Sequence, residues 1–389
     1  MKDSGIEWIG EIPEGWEVGQ IGQLYSERRT KVSDKNYPPL SVTMKGILPQ
    51  LSTAAKTDAH DDRKLVCKGD FAINSRSDRR GSCGISEQDG SISLINTVLQ
   101  PRGEMNPGYY NWLFHTSMFA DEFYKWGHGI VDDLWTTGWS DMKKIGVPIP
   151  SKCEQKQLAE HLNFECSHID SILSKTRSSI EEYKKLKQAV ITQAVTKGVR
   201  GEREMKDSGV EWIGEIPVEW SVAKAKYYVT ITHGSDPKTE GSIPVYGSGA
   251  ESFKTCGEYK EGPTVLIGRK GATLHIPHYI EGKYWNVDTA FDVKAKNNFS
   301  LPYYYYLATS FDYKFYIAQT TLPGMTQSNY YNMFLPFPTF PEQEEIVNYL
   351  DAKCAEIDGL IAKKEQLVRE LESYKKSLIY EVVTGKREV

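Results

Sequence analysis

The sequence KDSGIEWIGEIPEGW at Lys2–Trp16 occurs a second time, as KDSGVEWIGEIPVEW, at Lys206–Trp220. Twelve of the fifteen positions are identical. Two copies that are this similar and this far apart in the chain indicate that one module has been duplicated. The stretch that follows each copy is therefore expected to form one of two related domains.

The composition is that of a folded protein without a membrane-spanning segment. The chain has 389 residues, of which 39% are hydrophobic and 25% charged, and its net charge at pH 7 is −5. Domains usually hold about 100 to 200 residues, so two or three are expected. Met1 is not followed by the apolar segment of a signal peptide, and no apolar run is long enough to cross a bilayer. These features favour a cytoplasmic protein with no membrane partner.

The sequence motifs of common catalytic and metal sites are missing. The six cysteines are scattered and the eight histidines form no ligand set, so no metal site is predicted. Gly268-Arg269-Lys270-Gly271 is the nearest approach to a phosphate-binding loop, and its spacing is wrong. A nuclease interpretation based on Asp236, Glu258 and Lys260 has no counterpart in the first half of the chain. The sequence therefore favours a binding protein over an enzyme.

Short apolar runs between turn-forming residues follow each copy of the repeat, so the expected fold class of both regions is α+β. Strands are predicted at residues 70–74 and 262–267. Bulky side chains at helical spacing predict helices at residues 109–114 and 302–307. The two regions share this plan while their sequences mostly differ, which is the pattern expected when each must recognise something different.

Two long amphipathic helices are predicted after the globular regions. A capping box, Ser151 to Glu154 and Thr339 to Glu342, marks each start, because its hydroxyl and carboxylate bind free backbone N–H groups. Apolar residues then recur at spacings of three, four and seven, and the first stretch has no glycine before Gly198. This pattern favours an antiparallel helical pair or coiled coil. The alternative is two helices buried in separate globular cores.

The predicted organisation is two globular domains and two spacer helices, at residues 1–150, 151–204, 205–338 and 339–389. The segment Val383-Thr384 near the C-terminus matches Val195-Thr196, which precedes the second copy of the repeat. If the sequence is read as a circle, the C-terminal end of each long helix is followed by a copy of the repeat. An approximate two-fold arrangement within one chain follows if the helices are antiparallel.

Two basic clusters follow predicted strands at corresponding places in the two halves. The first contains Arg76, Arg79 and Arg80, and the second contains Arg269 and Lys270. Arginine binds guanine edges or phosphates through paired N–H groups, and neighbouring glycines permit a close backbone approach. One such cluster alone is typical of a solvated loop. The equivalent placement of two clusters favours a nucleic-acid contact.

The whole chain resembles the DNA-specificity subunits of type I restriction-modification systems. The doubled segment EWIGEIPxxW at Glu7–Trp16 and Glu211–Trp220 carries this resemblance. So do the two long helices, which start at Glu154-Gln155 and Glu342-Gln343 after proline-rich approaches. No single motif is highly specific, but their order and their duplication are.

The resemblance implies that DNA recognition and catalysis belong to different subunits. Two target-recognition domains would each read one half of a bipartite site in double-stranded DNA, and the helices would set the spacer. The subunit itself would be no enzyme and would hold no cofactor. It would bind two methyltransferase (M) subunits, which use S-adenosylmethionine, and restriction/translocase (R) subunits, so that S-adenosylmethionine, ATP and Mg belong to the partners.

The helix residues predicted to form the interhelical and partner contacts share an apolar or aromatic side chain: Ile169, Leu173, Ile180, Tyr183, Ile357, Leu360, Leu367, Leu371 and Tyr374. The acidic, tryptophan-bearing repeat is poorly suited to phosphate, and its four tryptophans are expected to anchor each domain onto a helix end. These are Trp8, Trp16, Trp212 and Trp220. The alternative function is a two-domain protein–protein adaptor that never binds DNA.

Overall fold

The structure of the chain is a computed structural model that describes residues 1–50, 61–129, 135–249, 251–271, 273–296, 298–313 and 324–389. Its residues form two compact units. The first contains Met1–Thr176 and Leu367–Val389, and the second contains Arg177–Gln366. Both long helices thus contribute to both units. The domain ranges predicted from the sequence remain predictions.

The first unit is a set of small antiparallel sheets with short helices. Its helices are α1 (Ile21–Leu24), α2 (Pro107–Phe114), α3 (Ser117–Lys125) and α4 (Trp139–Met142). Its strands are β1 (Lys2–Asp3), β2 (Glu11–Ile12), β3 (Glu17–Gln20), β4 (Tyr25–Glu27), β5 (Lys31–Val32), β6 (Leu40–Thr43), β7 (Gly46–Pro49), β8 (Arg63–Val66), β9 (Phe71–Asn74), β10 (Cys83–Ile85), β11 (Gly90–Ile92), β12 (Asn96–Pro101) and β13 (Gly146–Ile149).

Each globular region is followed by a long helix. They are α5 (Lys152–Lys197) and α8 (Phe340–Val383), with α6 (Leu301–Ser310) and α7 (Gln327–Asn332) between them. The strands of the second unit are β14 (Met205–Asp207), β15 (Glu215–Pro217), β16 (Ser221–Lys224), β17 (Val229–His233), β18 (Ile243–Tyr246), β19 (Ser252–Cys256), β20 (Lys260–Glu261), β21 (Thr264–Gly268), β22 (His278–Ile280), β23 (Lys283–Asn286), β24 (Ala290–Ala295) and β25 (Phe334–Phe337).

The central sheets of the two units are equivalent. Their strand orders are β10-β9-β12-β4 in the first unit and β22-β21-β24-β17 in the second, and all neighbours are antiparallel. The strands predicted at residues 70–74 and 262–267 are β9 and β21, and the predicted helices are α2 and α6. The α+β class and the internal duplication are therefore confirmed, although the two sheets differ in most of their side chains.

Aromatic side chains join each central sheet to its helix. In the first unit the rings of Phe71 and Phe114 lie 5.0 Å apart, edge to face. In the second unit Phe291 on β24 lies in one buried core with Tyr303 and Tyr304 of α6. Burial of rings of this size contributes a large share of the stability of such small sheets. The aromatic runs in the sequence thus serve the cores of the two units.

A glutamine in the first turn of each long helix holds the neighbouring short helix. The Gln155 amide accepts from the backbone N–H of Asn106, at 2.8 Å, and donates to the Pro150 carbonyl. The Gln343 amide makes the same pair of bonds, accepting from Ser300 at 2.8 Å and donating to Pro338 at 3.0 Å. Buried backbone groups without partners are costly, so one side chain secures two helix starts.

Replacing Gln343 by leucine is expected to destabilise the second unit by about 1 to 3 kcal/mol, because the buried N–H of Ser300 loses its acceptor. Urea unfolding followed by circular dichroism measures this change. Gln157 lies on the exposed side of the other long helix, and its leucine variant is the matched control. Equal stability of the two variants would contradict the prediction.

The long helices run antiparallel within each unit. In the second unit Lys187 binds Asp358 at 2.6 Å, and Lys364 lies over the ring of Tyr183. Residue numbers therefore rise along α5 in the same direction in which they fall along α8, so the two helices are antiparallel there. In the first unit Lys375 binds Asp170 at 2.6 Å, and the hydroxyl of Tyr109 donates to the carbonyl of Val383. The antiparallel pair predicted from the apolar spacing is confirmed.

Only one of the two predicted capping boxes forms. At the start of α5 the Glu154 carboxylate accepts from the Ser151 backbone N–H at 2.9 Å, and the Ser151 hydroxyl accepts in return at 3.3 Å. The prediction for α8 was wrong. Its Glu342 carboxylate accepts from the Trp220 indole and forms an ion pair with Arg203. A charged tertiary partner outcompeted the local backbone bond there.

The side chain of His115 is expected to make the stability of the first unit depend on pH. Burial lowers the pKa of His115, against hydrogen bonds from its ring to backbone carbonyls that raise it. A depressed histidine pKa means that the unfolded state binds more protons just below its own pKa of about 6.5, so stability falls as the pH drops through that range. His115→Gln is expected to flatten this decline between about pH 7 and 5, as measured by thermal unfolding. The same change at exposed His168 is the matched control.

Candidate nucleic-acid interface

A basic loop follows the same strand of the central sheet in each unit. Strand β9 ends at Asn74 and β21 ends at Gly268. Two residues after each end, Arg76 forms a backbone bridge with Thr136, and Lys270 forms one with Gly324. Because the sheets are equivalent, Arg76 and Lys270 occupy corresponding positions. We call residues 75–82 the first basic loop and residues 269–274 the second basic loop, of which residue 272 lies outside the described structure.

Backbone contacts hold the first basic loop in place. The hydroxyl of Tyr124 donates to the carbonyl of Arg76 at 2.7 Å, and the amide oxygen of Asn74 accepts from the Arg76 backbone N–H at 3.0 Å. Burial raises the pKa of Tyr124, so its hydroxyl stays protonated as a donor. The N–H of Thr137 also donates to the carbonyl of Ser75 at 3.0 Å. The side chain of Arg76 is left exposed on a fixed backbone.

The three arginines of the first basic loop are not equally available. Arg80 binds Asp121 at 2.9 Å and lies over the ring of Tyr124, while Arg79 lies 3.5 Å from Asp78. The guanidinium of Arg76 has no acidic partner among the described residues. Exposed ion pairs are weak, so Arg79 and Arg80 can exchange their partners. Arg76 is nevertheless the cation that needs no such exchange.

The second basic loop shows the same division. Arg269 donates its backbone N–H to Thr289 at 2.7 Å, and its guanidinium lies 3.1 Å from the Asp288 carbonyl and 3.5 Å from its carboxylate. Arg269 is therefore partly neutralised. The ammonium group of Lys270 is exposed and has no acidic partner within the described ranges. Of the five basic residues predicted from the sequence, Arg76 and Lys270 lie at equivalent positions and have no acidic partner in the described part of the chain.

Glycine is required for the path of the second basic loop. A Cβ atom at Gly268 would collide with the backbone of Leu274. Gly271 has a φ of +111°, a conformation that side chains rarely adopt. Either change would displace Arg269 and Lys270 together.

The sequence analysis missed the hydroxyl groups beside these loops. Ser248 and Thr273 share a hydrogen bond of 3.1 Å, and Ser75 and Thr97 share one of 3.0 Å. Hydroxyls contact phosphates and base edges in many protein–DNA interfaces. Single serines and threonines carry no sequence signal, and the partners come from segments more than twenty residues apart.

The helix residues singled out from the sequence divide by exposure. The buried ones are Ile169, Leu173, Ile180 and Ile357, the exposed ones are Leu360, Leu367 and Tyr374, and Tyr183 and Leu371 are half-buried. The buried residues stabilise the chain itself and are closed to a partner. The exposed ones remain candidates for partner contact.

The equivalent tryptophans of the two repeat copies make equivalent contacts. The indole N–H groups of Trp16 and Trp220 donate to Glu154 and Glu342, each at 3.0 Å, in the first turn of a long helix. Anchoring of the repeat to a helix start is thereby confirmed for these two. For the other pair it remains a prediction: Trp8 packs on Phe119 of α3, and Trp212 packs on Phe311 after α6.

Neither a metal cluster nor a membrane span is found in the described part of the chain. Its histidines, cysteines and carboxylates form no group of three that could hold a metal ion. None of its helices is both long enough and apolar enough to cross a membrane.

Comparison with known proteins finds a family match in the second half of the chain. Residues 222–369 match the family model of the type I restriction modification DNA specificity domain. The putative type I restriction enzyme MjaX specificity subunit of Methanocaldococcus jannaschii is 22% identical over 97% of this chain and 95% of its own length. The type I restriction enzyme MjaVIII specificity subunit of that organism is 27% identical over 57% of this chain and 51% of its own length.

Solved structures share the fold. A chain from the structure described as "Structural basis underlying complex assembly and conformational transition of the type I R-M system" has a TM-score of 0.78. It is 12% identical, and the match covers 97% of this chain and 100% of that one. The HsdS subunit from Thermoanaerobacter tengcongensis has a TM-score of 0.54 at 15% identity, covering 97% and 98% of the two chains.

The second half of the chain thus matches a DNA specificity domain, and the chain shares its fold with these solved structures. Over nearly its whole length the chain is similar to a type I restriction enzyme specificity subunit, and the resemblance first seen in the repeat is confirmed.

Proposed function

We propose that the two units read the two halves of a bipartite site in double-stranded DNA, each through its basic loop. The observation that carries the proposal is the equivalent position of Arg76 and Lys270, exposed and unpaired within the described structure, after equivalent strands. The units share a frame and differ in side chains, as two readers of different sequences must.

The charge distribution supports a local interface rather than a broad basic surface. The chain carries a net charge of −5, and acidic residues accompany Arg79, Arg80 and Arg269. Phosphate contacts supply most sequence-independent affinity, and base-edge contacts supply specificity. With two unpaired cations between them among the described residues, the basic loops themselves add little non-specific affinity. Affinity for DNA in the full complex then depends partly on other subunits.

Assembly is the second part of the proposed function. The chain scaffolds two methyltransferase subunits and restriction/translocase subunits in the cytoplasm, and the exposed helix residues Leu360, Leu367 and Tyr374 are candidate contacts. S-adenosylmethionine, ATP and Mg bind to those partners. Since α5 and α8 are the elements that both units share, their length is proposed to set the spacer between the half-sites.

Exchange of residues 17–150 for the corresponding region of another specificity subunit tests the proposal. The exchange is expected to change one half-site of the methylated sequence and to leave the other half-site and the spacer length unchanged. Mapping of methylated bases in a host that carries the chain and its methyltransferase reads all three at once. An unchanged methylation pattern would exclude DNA reading by the first unit.

The second candidate is the two-domain protein adaptor. The neutralisation of three of the five predicted basic residues by nearby carboxylates favours it. An adaptor would co-purify with partners, but exchange of residues 17–150 would alter which proteins bind and leave every methylated sequence as it was.

A further inference from the structure

An exposed aromatic ring lies beside the second basic loop. Strands β18 and β19 form a hairpin, and Phe253, the second residue of β19, is 59% exposed. The turn of this hairpin contacts the loop, because the hydroxyls of Ser248 and Thr273 share a hydrogen bond of 3.1 Å. A Cβ atom at Gly271 would also lie 3.2 Å from the Ser248 hydroxyl oxygen. The ring therefore belongs to a hairpin that is fixed to a basic loop.

The ring of Phe253 also lies close to the residue that holds the backbone of this loop. A Cβ atom at Gly247 would lie 3.7 Å from Cε1 of Phe253 and 2.9 Å from the hydroxyl oxygen of Thr289. The carbonyl of Thr289 accepts the backbone N–H groups of Arg269, at 2.7 Å, and Lys270, at 3.4 Å. Gly247 thus lies between the exposed ring and the residue that binds the loop.

A cation accompanies the ring. The ammonium group of Lys254 lies 5.5 Å from the centre of the Phe253 ring. An aromatic ring stacks on nucleic-acid bases of any sequence, and a lysine next to it contacts the phosphates. The pair therefore has the chemistry of a base contact with a phosphate contact beside it.

The first unit has an exposed apolar side chain in a comparable position. Met44, in the turn between β6 and β7, is 72% exposed, and Lys45 follows it. The Thr43 hydroxyl closes this turn by donating to the carbonyl of Gly46 at 2.9 Å. A Cβ atom at Gly84 would lie 2.8 Å from Cα of Gly46, so the hairpin packs directly on β10, the strand that follows the first basic loop.

The repetition of this arrangement is what requires an explanation. Single exposed apolar residues are common on protein surfaces. Here each unit carries one on a hairpin, followed by a lysine, against the basic loop or the strand that continues it. Phenylalanine and methionine are among the side chains that proteins insert as wedges between base pairs, where they unstack one step and kink the duplex by roughly 20 to 90°.

We propose that Phe253 and Met44 are wedge residues, each of which enters the base stack at one step of the half-site read by its unit. Insertion buries the exposed side chain between two base pairs, while Lys254 or Lys45 contacts a neighbouring phosphate. The cost of unstacking depends on the step, and a pyrimidine followed by a purine opens most easily. Each unit then selects its half-site by deformability as well as by direct contacts. The inference rests on the proposed DNA reading and adds a distortion that reading alone does not require.

Fluorescent base analogues test the wedge in the assembled complex. 2-Aminopurine and pyrrolocytosine replace adenine and cytosine, and their fluorescence is quenched while they are stacked in a duplex. The duplexes carry the site mapped by methylation, and one analogue is placed in turn at every base pair of the second half-site and its flanks. The methylated adenine is left unchanged, because a methyltransferase flips its target base out of the stack by itself. We expect a rise in fluorescence at one step when the wild-type complex binds.

Phe253→Ala is expected to abolish this rise and to weaken binding about 5- to 150-fold, the range for the loss of one base stacked on an aromatic ring. Phe253→Leu keeps an apolar wedge and should keep the rise. Tyr227→Ala is the matched control, since it removes a ring that is 63% exposed from the same unit and should change neither quantity. Met44→Ala should abolish the corresponding rise in the first half-site only. All four side chains replaced here are largely exposed, so the variants should fold as the wild type does.

The outcomes separate the wedge from DNA reading. If the wild-type complex binds its site specifically and no base pair of the second half-site becomes fluorescent, the wedge is overturned and reading by the basic loop stands. Weaker binding of Phe253→Ala without any rise in the wild type would place the ring in a groove, against a thymine methyl group for example, and also overturns the wedge. A rise that persists in Phe253→Ala does the same. A wild-type complex that shows no specific binding overturns the proposed function together with the wedge.

Discussion

Replacing Trp220 by alanine is expected to lower the free energy of unfolding of the second unit by about 3 to 5 kcal/mol, the range for removing a large buried aromatic side chain. Trp220 is only 2% exposed and lies in the core of the second unit with Ile191, Val195 and Ile346. The substitution leaves a cavity where the repeat meets the first turn of α8. It also removes the donor to the Glu342 carboxylate, itself 2% exposed.

Urea unfolding measures the loss, with the transition of the second unit followed separately from that of the first. Trp220→Phe helps to separate the two contributions, because it keeps one buried aromatic ring and leaves a smaller cavity while it also loses the indole N–H. Tyr227→Ala is the matched control, since that side chain is 63% exposed and should change stability by less than about 0.5 kcal/mol. A Trp220→Ala variant as stable as this control would show that the repeat is not held through its tryptophan.

Lys270→Ala and Arg76→Ala are each expected to weaken DNA binding by about 1 to 3 kcal/mol if the residue contacts a base edge, which is roughly a 5- to 150-fold loss of affinity. Each change should affect only one half-site, because the two residues belong to different units. A residue that contacts only phosphate should instead lower affinity evenly for all sequences and reduce its salt dependence. Methylation by the assembled complex, measured on sites with one altered half, distinguishes these outcomes.

Arg79→Ala and Arg269→Ala are the comparisons for this pair. Both arginines lie near a carboxylate, Asp78 for the first and Asp288 for the second, and we expect smaller losses from them. Binding must be compared at one salt concentration, since electrostatic affinity changes steeply with ionic strength. If the paired arginines matter more than Arg76 and Lys270, the assignment of the reading positions is wrong.

The duplication could be recognised from the sequence because the two copies of the repeat are nearly identical. The long helices were also readable, since α5 runs for 46 residues without the glycine or proline that would end it. Strands β9 and β21 followed from short apolar runs before a turn. Each of these signals lies within one stretch of chain, where the period of the side chains reports the local backbone directly.

The failure at α8 shows what a local pattern leaves out. Thr339 and Glu342 have the spacing of a capping box, yet the carboxylate binds Trp220, which is 122 positions away. A local bond competes with a buried indole and an arginine, and the tertiary partners win because they would otherwise be left unsatisfied. The same reasoning explains why Arg80, 41 positions from Asp121, could not be recognised as paired.

The sequence by itself determined that the chain is one module repeated, that each copy joins an α+β region to a long helix, and that basic clusters follow matching strands. Periodicity and repetition need no knowledge of distant neighbours. Only the tertiary structure decided which cations are free, because charge pairing depends on residues that folding brings together from elsewhere in the chain. It alone showed that Arg76 matches Lys270 and that Arg203 pairs with Glu342.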